Sequence, residues 1–212
     1  MLCYHTIPVT AFQQNCSIVW CDQTMEAAII DPGGDLEAIQ WEIDRLQVKP
    51  RAIWLTHAHI DHAGGVGELV QTLPLDIIGP HEEDQFLIDG LAQQSAMFGF
   101  PPALPFTPTR WLHDGDSVTI GQEMLHVRHC PGHTPGHVVF HAPQIDRCFV
   151  GDVLFAGSIG RTDFPRGNHQ QLIDSIIQRL WPMGDQTVFI PGHGPESSFG
   201  RERKLNPYVG NT

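Results

Sequence analysis

Apolar residues arrive along this chain in short dense runs, separated by turn-forming clusters. The runs LCYHTIPV (2–9), CSIVW (16–20) and EAAIID (26–31) predict strands, the third closed by Pro32-Gly33-Gly34. Leu36, Ile39, Ile43 and Leu46 then recur at helical spacing, with Asp35 as the expected N-cap and Pro50 beyond the end. RAIWLT (51–56) predicts a buried strand, followed by a helix over 65–73, a strand over 75–79 and a helix over 82–98. Residues 99–110, GFPPALPFTPTR, are irregular and suit either a linker or a loop joining two halves of one domain. Strands follow at 117–121, 124–129, 137–142 and 147–151. Leu172, Ile173, Ile176, Ile177 and Leu180 then share one helical face, with Asn168 and Gln171 as a variant capping box, and TVFIPG (187–192) is the last strand.

Strands then helices, twice over, predict an α+β fold of two sheets packed face to face with helices outside. No repeat is visible between the two halves. A chain of 212 residues is long enough for one large domain or two small ones.

Composition narrows the class. Hydrophobic residues make up 41%, which fits a globular chain rather than a disordered one. No apolar run approaches the roughly 18–20 residues of a membrane span, and no basic residue precedes Arg45. A cytoplasmic, membrane-free protein is the expectation. The five cysteines are odd in number and form no CxxC pair, which fits reduced thiols. Cys130 sits three residues before His133, but a packing role is preferred for it as for the others. The net charge of −12 disfavours nucleic acid as a partner. Thirteen histidines are a surplus that directs attention to metal ligation.

Four loops carry that surplus. THAHIDH (56–62), HCPGHTPGH (129–137), Gly151-Asp152 and PGHG (191–194) each follow an apolar strand-like run. Loops at strand ends can hold ligands that converge on one point. His57, His59, Asp61, His62, His133, Asp152 and His193 are too many donors for one tetrahedral zinc, and suit two ions sharing a carboxylate. In extended backbone His57 and His59 point the same way, leaving Asp61 and His62 for a second ion. Gly64 and Gly65 permit close backbone approach as the next helix starts. An isolated HxH or PGHG would mean little, but four ligand-type residues in six positions is a specific signal.

In this order, THAHIDH, GHTPGH, GD and PGHG resemble the metallo-β-lactamase-fold hydrolases over nearly the whole chain. The resemblance implies a four-layer αββα sandwich, with the metal site at one edge of the sheets and residues 1–212 as a single domain. It also implies that His57, His59 and His133 hold a first metal, and Asp61, His62 and His193 a second, with Asp152 bridging. His137 is then a supporting residue rather than a ligand. Asp31 matches the family's aspartate that braces the HxHxDH loop, although it is equally an ordinary turn residue before proline. The expected cofactor is two divalent ions per chain, zinc first, with iron or manganese also accepted by His and carboxylate ligands.

GRTDFPRG (160–167) and IPGHGPESSFGRERKLNPYV (190–209) resemble the short bacterial kind of hydroxyacylglutathione hydrolase, or glyoxalase II. Only 19 residues follow His193, which leaves no room for the separate C-terminal helical substrate domain of the longer kind. Asp152, in place of the cysteine many true β-lactamases carry, points away from antibiotic hydrolysis, as does the expected absence of a signal peptide. The implied reaction is hydrolysis of S-D-lactoylglutathione to D-lactate and glutathione by a metal-bridging hydroxide that Asp61 helps orient. A small-molecule glutathione thioester is thus the expected partner. Arg161, Arg166, Arg201, Arg203 and Lys204 all follow these ligand loops; Arg161 and Arg166 are candidate substrate contacts, or else some of the five pair with local acids such as Asp163 and Glu202. The alternatives are a mono-iron persulfide dioxygenase of the same fold, a dinuclear hydrolase of another ester or lactone, an RNA- or DNA-processing nuclease, and a non-catalytic metal buffer. The oligomeric state is left open, a monomer included.

Overall fold

The computed structural model describes residues 1–211. Its first sheet is built from β1 (Leu2–Val9), β2 (Gln14–Cys21), β3 (Glu26–Ile30), β4 (Lys49–Trp54) and β5 (Asp76–Ile78), in that spatial order. The first three strands run antiparallel; β3, β4 and β5 are parallel. The second sheet contains β6 (Ser117–Ile120), β7 (Glu123–His129), β8 (Val138–Ala142), β9 (Arg147–Gly151), β12 (Val188–Pro191) and β13 (Ser197–Ser198), ordered β13-β12-β9-β8-β7-β6. A small hairpin, β10 (Leu154–Phe155) with β11 (Ser158–Ile159), stands apart.

The apolar runs are continuous rather than alternating because both faces of each sheet are buried. Successive residues of one strand therefore enter different cores. Ile29 and Ile53 pack outward on the helices α1 (Leu36–Leu46), α2 (Ile60–Ala63), α3 (Val66–Thr72), α4 (Gln85–Asp89) and α5 (Leu91–Phe98). Their neighbours Ala28, Ile30, Ala52 and Trp54 turn inward to meet Val127, Phe140, Phe149 and Ile190 of the second sheet. Trp54 and Phe140 lie 5.6 Å apart between the sheets. On the far face Cys148, Val150 and Phe189 pack against α6 (His169–Ser175) and α7 (Phe199–Leu205). The result is the expected four-layer αββα sandwich, and its middle core draws on both halves of the chain.

Three local expectations were altered by tertiary context. The run 82–98 is not one helix: a single tight turn at Glu82–Asp84 leads into α4, and Gly90 separates α4 from α5. That break lets Gln94 turn inward, where its side-chain oxygen accepts the Ile60 N–H at 3.0 Å. The helix from His169 widens beyond Ser175 into a π-helical turn over Ile176–Leu180. Asn168 does cap α6, accepting from the Gln171 N–H at 3.0 Å. Asp35, by contrast, is in left-handed backbone with φ 50° and its side chain does not cap α1; it accepts the Thr10 N–H at 2.7 Å. β10, β11, β13 and α7 were not anticipated, being too short for a periodicity to show.

Candidate metal centre

Each ligand-bearing loop leaves the same end of a strand. β4 runs into Leu55–His59, β7 into Cys130–His137, β9 into Asp152 and β12 into Gly192-His193. The two sheets are stitched together there. Val138 N–H donates to the Thr56 carbonyl at 2.8 Å, and Asn15 N–H to that of Gly192 at 2.7 Å. The Asn15 side chain also donates to the Pro191 and Gly194 carbonyls, both at 2.9 Å. Glycine is required at two close approaches: a Cβ on Gly33 would enter the Asp61 carbonyl, and one on Gly192 would meet the Asp152 carboxylate.

All seven sequence-predicted donors gather in this cleft. His57, His59 and His133 form one group whose ligand atoms lie within 4.8 Å of one another; Asp61, His62 and His193 form another. His133 Nε2 is 3.0 Å from His59 Nδ1. Asp152 lies between the groups, its Oδ2 3.5 Å from His133 Nε2 and 3.8 Å from His193 Nε2, its Oδ1 3.4 Å from His62 Nε2. Asp61 Oδ2 is 3.1 Å from His193 Nε2.

On His57, His62, His133 and His193 the imidazole nitrogen facing away from this cleft is occupied, which leaves the inner nitrogen, once deprotonated, to bind a metal. Thr56 Oγ1 donates to Asp31 Oδ2 at 2.6 Å, so it accepts from His57 Nδ1–H at 3.1 Å. His62 Nδ1–H donates to Asp31 Oδ2 at 2.9 Å, His133 Nδ1–H to the Arg161 carbonyl at 2.7 Å and His193 Nδ1–H to the Phe12 carbonyl at 3.1 Å. Inside the cleft, His57 Nε2, His62 Nε2 and Asp152 Oδ1 are buried without any hydrogen-bond partner. Orphaned buried acceptors of this kind are costly unless a cation satisfies them. The donors present therefore fit divalent metal ions.

Charge is distributed unevenly between the groups. Burial, reinforced by neighbouring imidazoles, holds His57 well below its ordinary pKa and lowers His59 to about 3. Burial likewise lowers His133. For His62, burial is outweighed by the Asp152 and Asp61 carboxylates, and the imidazole is raised. Burial is outweighed at His193 too, by its hydrogen bond to Asp61 and the Asp152 charge, and it is raised as well.

Asp31 takes the bracing position: it also accepts the Thr56 N–H at 2.8 Å, and is nearly fully buried. His137 stacks on His57 with centroids 4.6 Å apart, and its Nε2 accepts the Asp152 N–H at 3.0 Å. It supports the cleft from behind. Cys130 is buried in the apolar core beside α6.

Beside the donors lies a cavity of about 540 Å³, walled by Phe12, Ile60, Leu87, Met97, Phe98, Phe155, Phe164 and Pro165 with Gln94 and Arg161. Arg161 reaches this wall, but its Nε and terminal nitrogen grip the Asp163 carboxylate at 3.0 and 2.7 Å. Arg166 is not part of the wall; its guanidinium covers the Phe86 ring at 4.2 Å. Glu202 is buried and accepts from Gly157 N–H, Ser197 and Asn206, and the Arg201 Nε lies 3.9 Å from its Oε1, so one of the basic residues does pair with it.

Asp84 was not anticipated. It is fully buried, and accepts the Ala58 N–H at 3.1 Å, the Thr134 hydroxyl at 2.9 Å and the Gly136 N–H at 2.6 Å. Burial pushes its carboxyl up to about 7 against the pull of those donors. It ties the loop of His57 and His59 to the loop of His133. Nothing in the local run HEED distinguishes it from two exposed acids beside it. Thr56, directly before HAHIDH, was legible by position but not by chemistry.

The chain matches the family model described as the metallo-beta-lactamase superfamily over residues 9–193. It is 44% identical to the hydroxyacylglutathione hydrolase GloC of Haemophilus influenzae over 96% of both chains. Among solved structures, the BLEG-1 B3 metallo-beta-lactamase is 37% identical with a TM-score of 0.89, covering 98% of this chain and 99% of that one. TTHA1623, solved in a di-iron-bound form, is 35% identical with a TM-score of 0.88, covering 96% of this chain and 99% of its own. With fold, donor set and these similarities in agreement, the chain belongs to the metallo-beta-lactamase superfamily.

Proposed function

We propose that this protein is a dinuclear metal-dependent thioester hydrolase that converts S-D-lactoylglutathione and water to D-lactate and glutathione. The observation that carries this reading is the pair of three-donor groups with the Asp152 carboxylate between them, in a chain this similar to GloC. His57, His59 and His133 are assigned to a first ion, Asp61, His62 and His193 to a second, and Asp152 to both. Bound there, the ions supply a hydroxide at neutral pH, by lowering the pKa of water from 15.7 towards about 7, and a Lewis acid for the thioester carbonyl.

The chain's own residues do the rest. Asp61 holds the attacking oxygen oriented through its free lone pairs. Asp31, Thr56 and the Arg161 carbonyl keep the histidines in the tautomer that presents a lone pair inward. A carbon–oxygen bond forms as the carbon–sulfur bond breaks, and the sulfur leaves with the electron pair. A thiolate of pKa near ~8.5 departs without a dedicated acid. This suits a cavity wall whose remaining polar side chains, Gln94 and Arg161, are both already engaged.

Zinc is the proposed ion, with iron the first alternative given the di-iron relative. Residues 1–212 are read as one domain, supported by a middle apolar core that draws on both halves. A cytoplasmic setting is supported by five free cysteines, and no helix among the described residues is long and apolar enough to cross a membrane.

The test is the rate of thioester loss from S-D-lactoylglutathione by protein with its metals quantified. Turnover at about two ions per chain, abolished by chelation and restored by zinc, is the expected result. No turnover with both positions filled sinks the reading. The same sample would then be offered glutathione persulfide with oxygen, and a β-lactam, given the resemblance to BLEG-1.

A further inference from the structure

The cavity beside the metal donors is chemically mismatched to the thiol half of a glutathione ester. Glutathione carries two carboxylates, and carboxylate recognition calls for free cations or free N–H donors. Arg161 is the one cationic side chain among the described residues of the wall, and its Nε and one of its two terminal nitrogens are held by Asp163 while its face lies over the Phe164 ring at 4.6 Å. Gln94 is turned inward, accepting from Ile60 N–H and giving one of its two amide N–H groups to the Leu87 carbonyl at 3.0 Å. The chain's net charge of −12 adds long-range repulsion against a polyanionic group.

What the wall does offer is apolar. Ile60 and Leu87 form a buried floor, while Phe12, Phe98 and Met97 make an exposed rim. At about 540 Å³ the space is that of an ordinary small-ligand pocket. We propose that this cavity selects the acyl half of the substrate and that its preferred acyl group is a medium-length aliphatic or aryl-substituted one, the thiol half lying out in solvent. The proposal rests on the thioester hydrolase reading above and names the substrate class of the same site.

Kinetics on a graded series tests it. Lactoyl-, propionyl-, butyryl-, hexanoyl- and phenylacetyl-glutathione are compared on the metal-loaded enzyme, and the hexanoyl ester is repeated on the uncharged thiol N-acetylcysteamine. Each buried methylene is worth about fourfold, so kcat/KM is expected to climb about 50-fold from propionyl to hexanoyl. Exchanging glutathione for N-acetylcysteamine is expected to change it by no more than about threefold. In Phe98→Ser, a half-exposed rim position, the climb with chain length flattens.

A flat or falling series, with lactoylglutathione still turned over, overturns acyl selection and leaves the hydrolase reading standing. A collapse of activity on the uncharged thiol overturns it in the same way. Failure to hydrolyse every thioester of the series removes the hydrolase reading itself, and acyl selection with it.

Discussion

Replacing Asp84 tests whether a carboxylate that touches no substrate sets the first metal position. Its two oxygens take three donors, Ala58 N–H and the Thr134 hydroxyl on one, Gly136 N–H on the other. In Asp84→Asn the amide oxygen can keep the pair, which turns the amide nitrogen against the Gly136 N–H. One hydrogen bond to a charged acceptor is lost and one buried donor is stranded, at about 2–4 kcal/mol together. Asp84→Ala strands all three donors, at about 1–3 kcal/mol each. That approaches the 5–15 kcal/mol total of a typical domain, so asparagine is the informative variant. Ala58 stands between His57 and His59, while Thr134 and Gly136 follow His133, so the displaced backbone is that of the first donor group. Loss of such an outer partner costs about 10–100-fold in metal affinity. Stepwise titration of metal-free protein against a chromophoric chelator reads the two ions separately. The first ion is expected to weaken by that factor and the second to hold, with a lower urea midpoint. Unchanged affinity for both ions would refute the reasoning, whatever the activity.

Three further outcomes follow from the same geometry. Asp31→Asn removes one of the two oxygens that fix His62 Nδ1–H directly and His57 through Thr56, and kcat/KM should fall about 10–100-fold with weaker binding of both ions; unchanged affinity for both would contradict the bracing role. A histidine must shed its proton to bind a metal. His62 and His193 are raised whereas His57, His59 and His133 are lowered, so acidification from about pH 7.5 to 5.5 should release the second ion ahead of the first, whose own loops lose only the Asp84 charge over that range. Metal analysis after dialysis at the two pH values reads this directly, and the reverse order would be decisive against it. Asp163→Asn frees Arg161, and KM for lactoylglutathione should drop up to about fivefold with kcat unchanged, the scale of one exposed ion pair; an unaltered KM would show that the arginine does not reach the substrate.

The layered architecture was legible because the strands are apolar on both faces and end in punctuated loops. The donors were legible because metal chemistry restricts residue type and, within THAHIDH, spacing as well. Asp84 was not, because its role depends on which loops the fold brings to it: neighbours at 58, 134 and 136 are invisible from position 84. Arg161 was half legible. Its place at the cavity followed from its position after the Asp152 loop, but its pairing with Asp163 two residues on was only one of two balanced alternatives. The short helix α7 and the edge strand β13 carry too few residues to reveal a period, and their order comes from the Ser198 cap and from Glu202, which accepts from Gly157 N–H and the Ser197 hydroxyl.

The order of the ligand loops along the chain has a consequence for biosynthesis. His57, His59, Asp61 and His62 leave the ribosome long before His133, Asp152 and His193 exist to face them. A nascent chain thus exposes an imidazole-rich fragment whose partners are still unmade, able to take up a metal only loosely. The full donor set closes when residue 193 is in place and the second sheet has docked on the first. Any ion these donors take would therefore meet its full ligand set only on a nearly finished polypeptide.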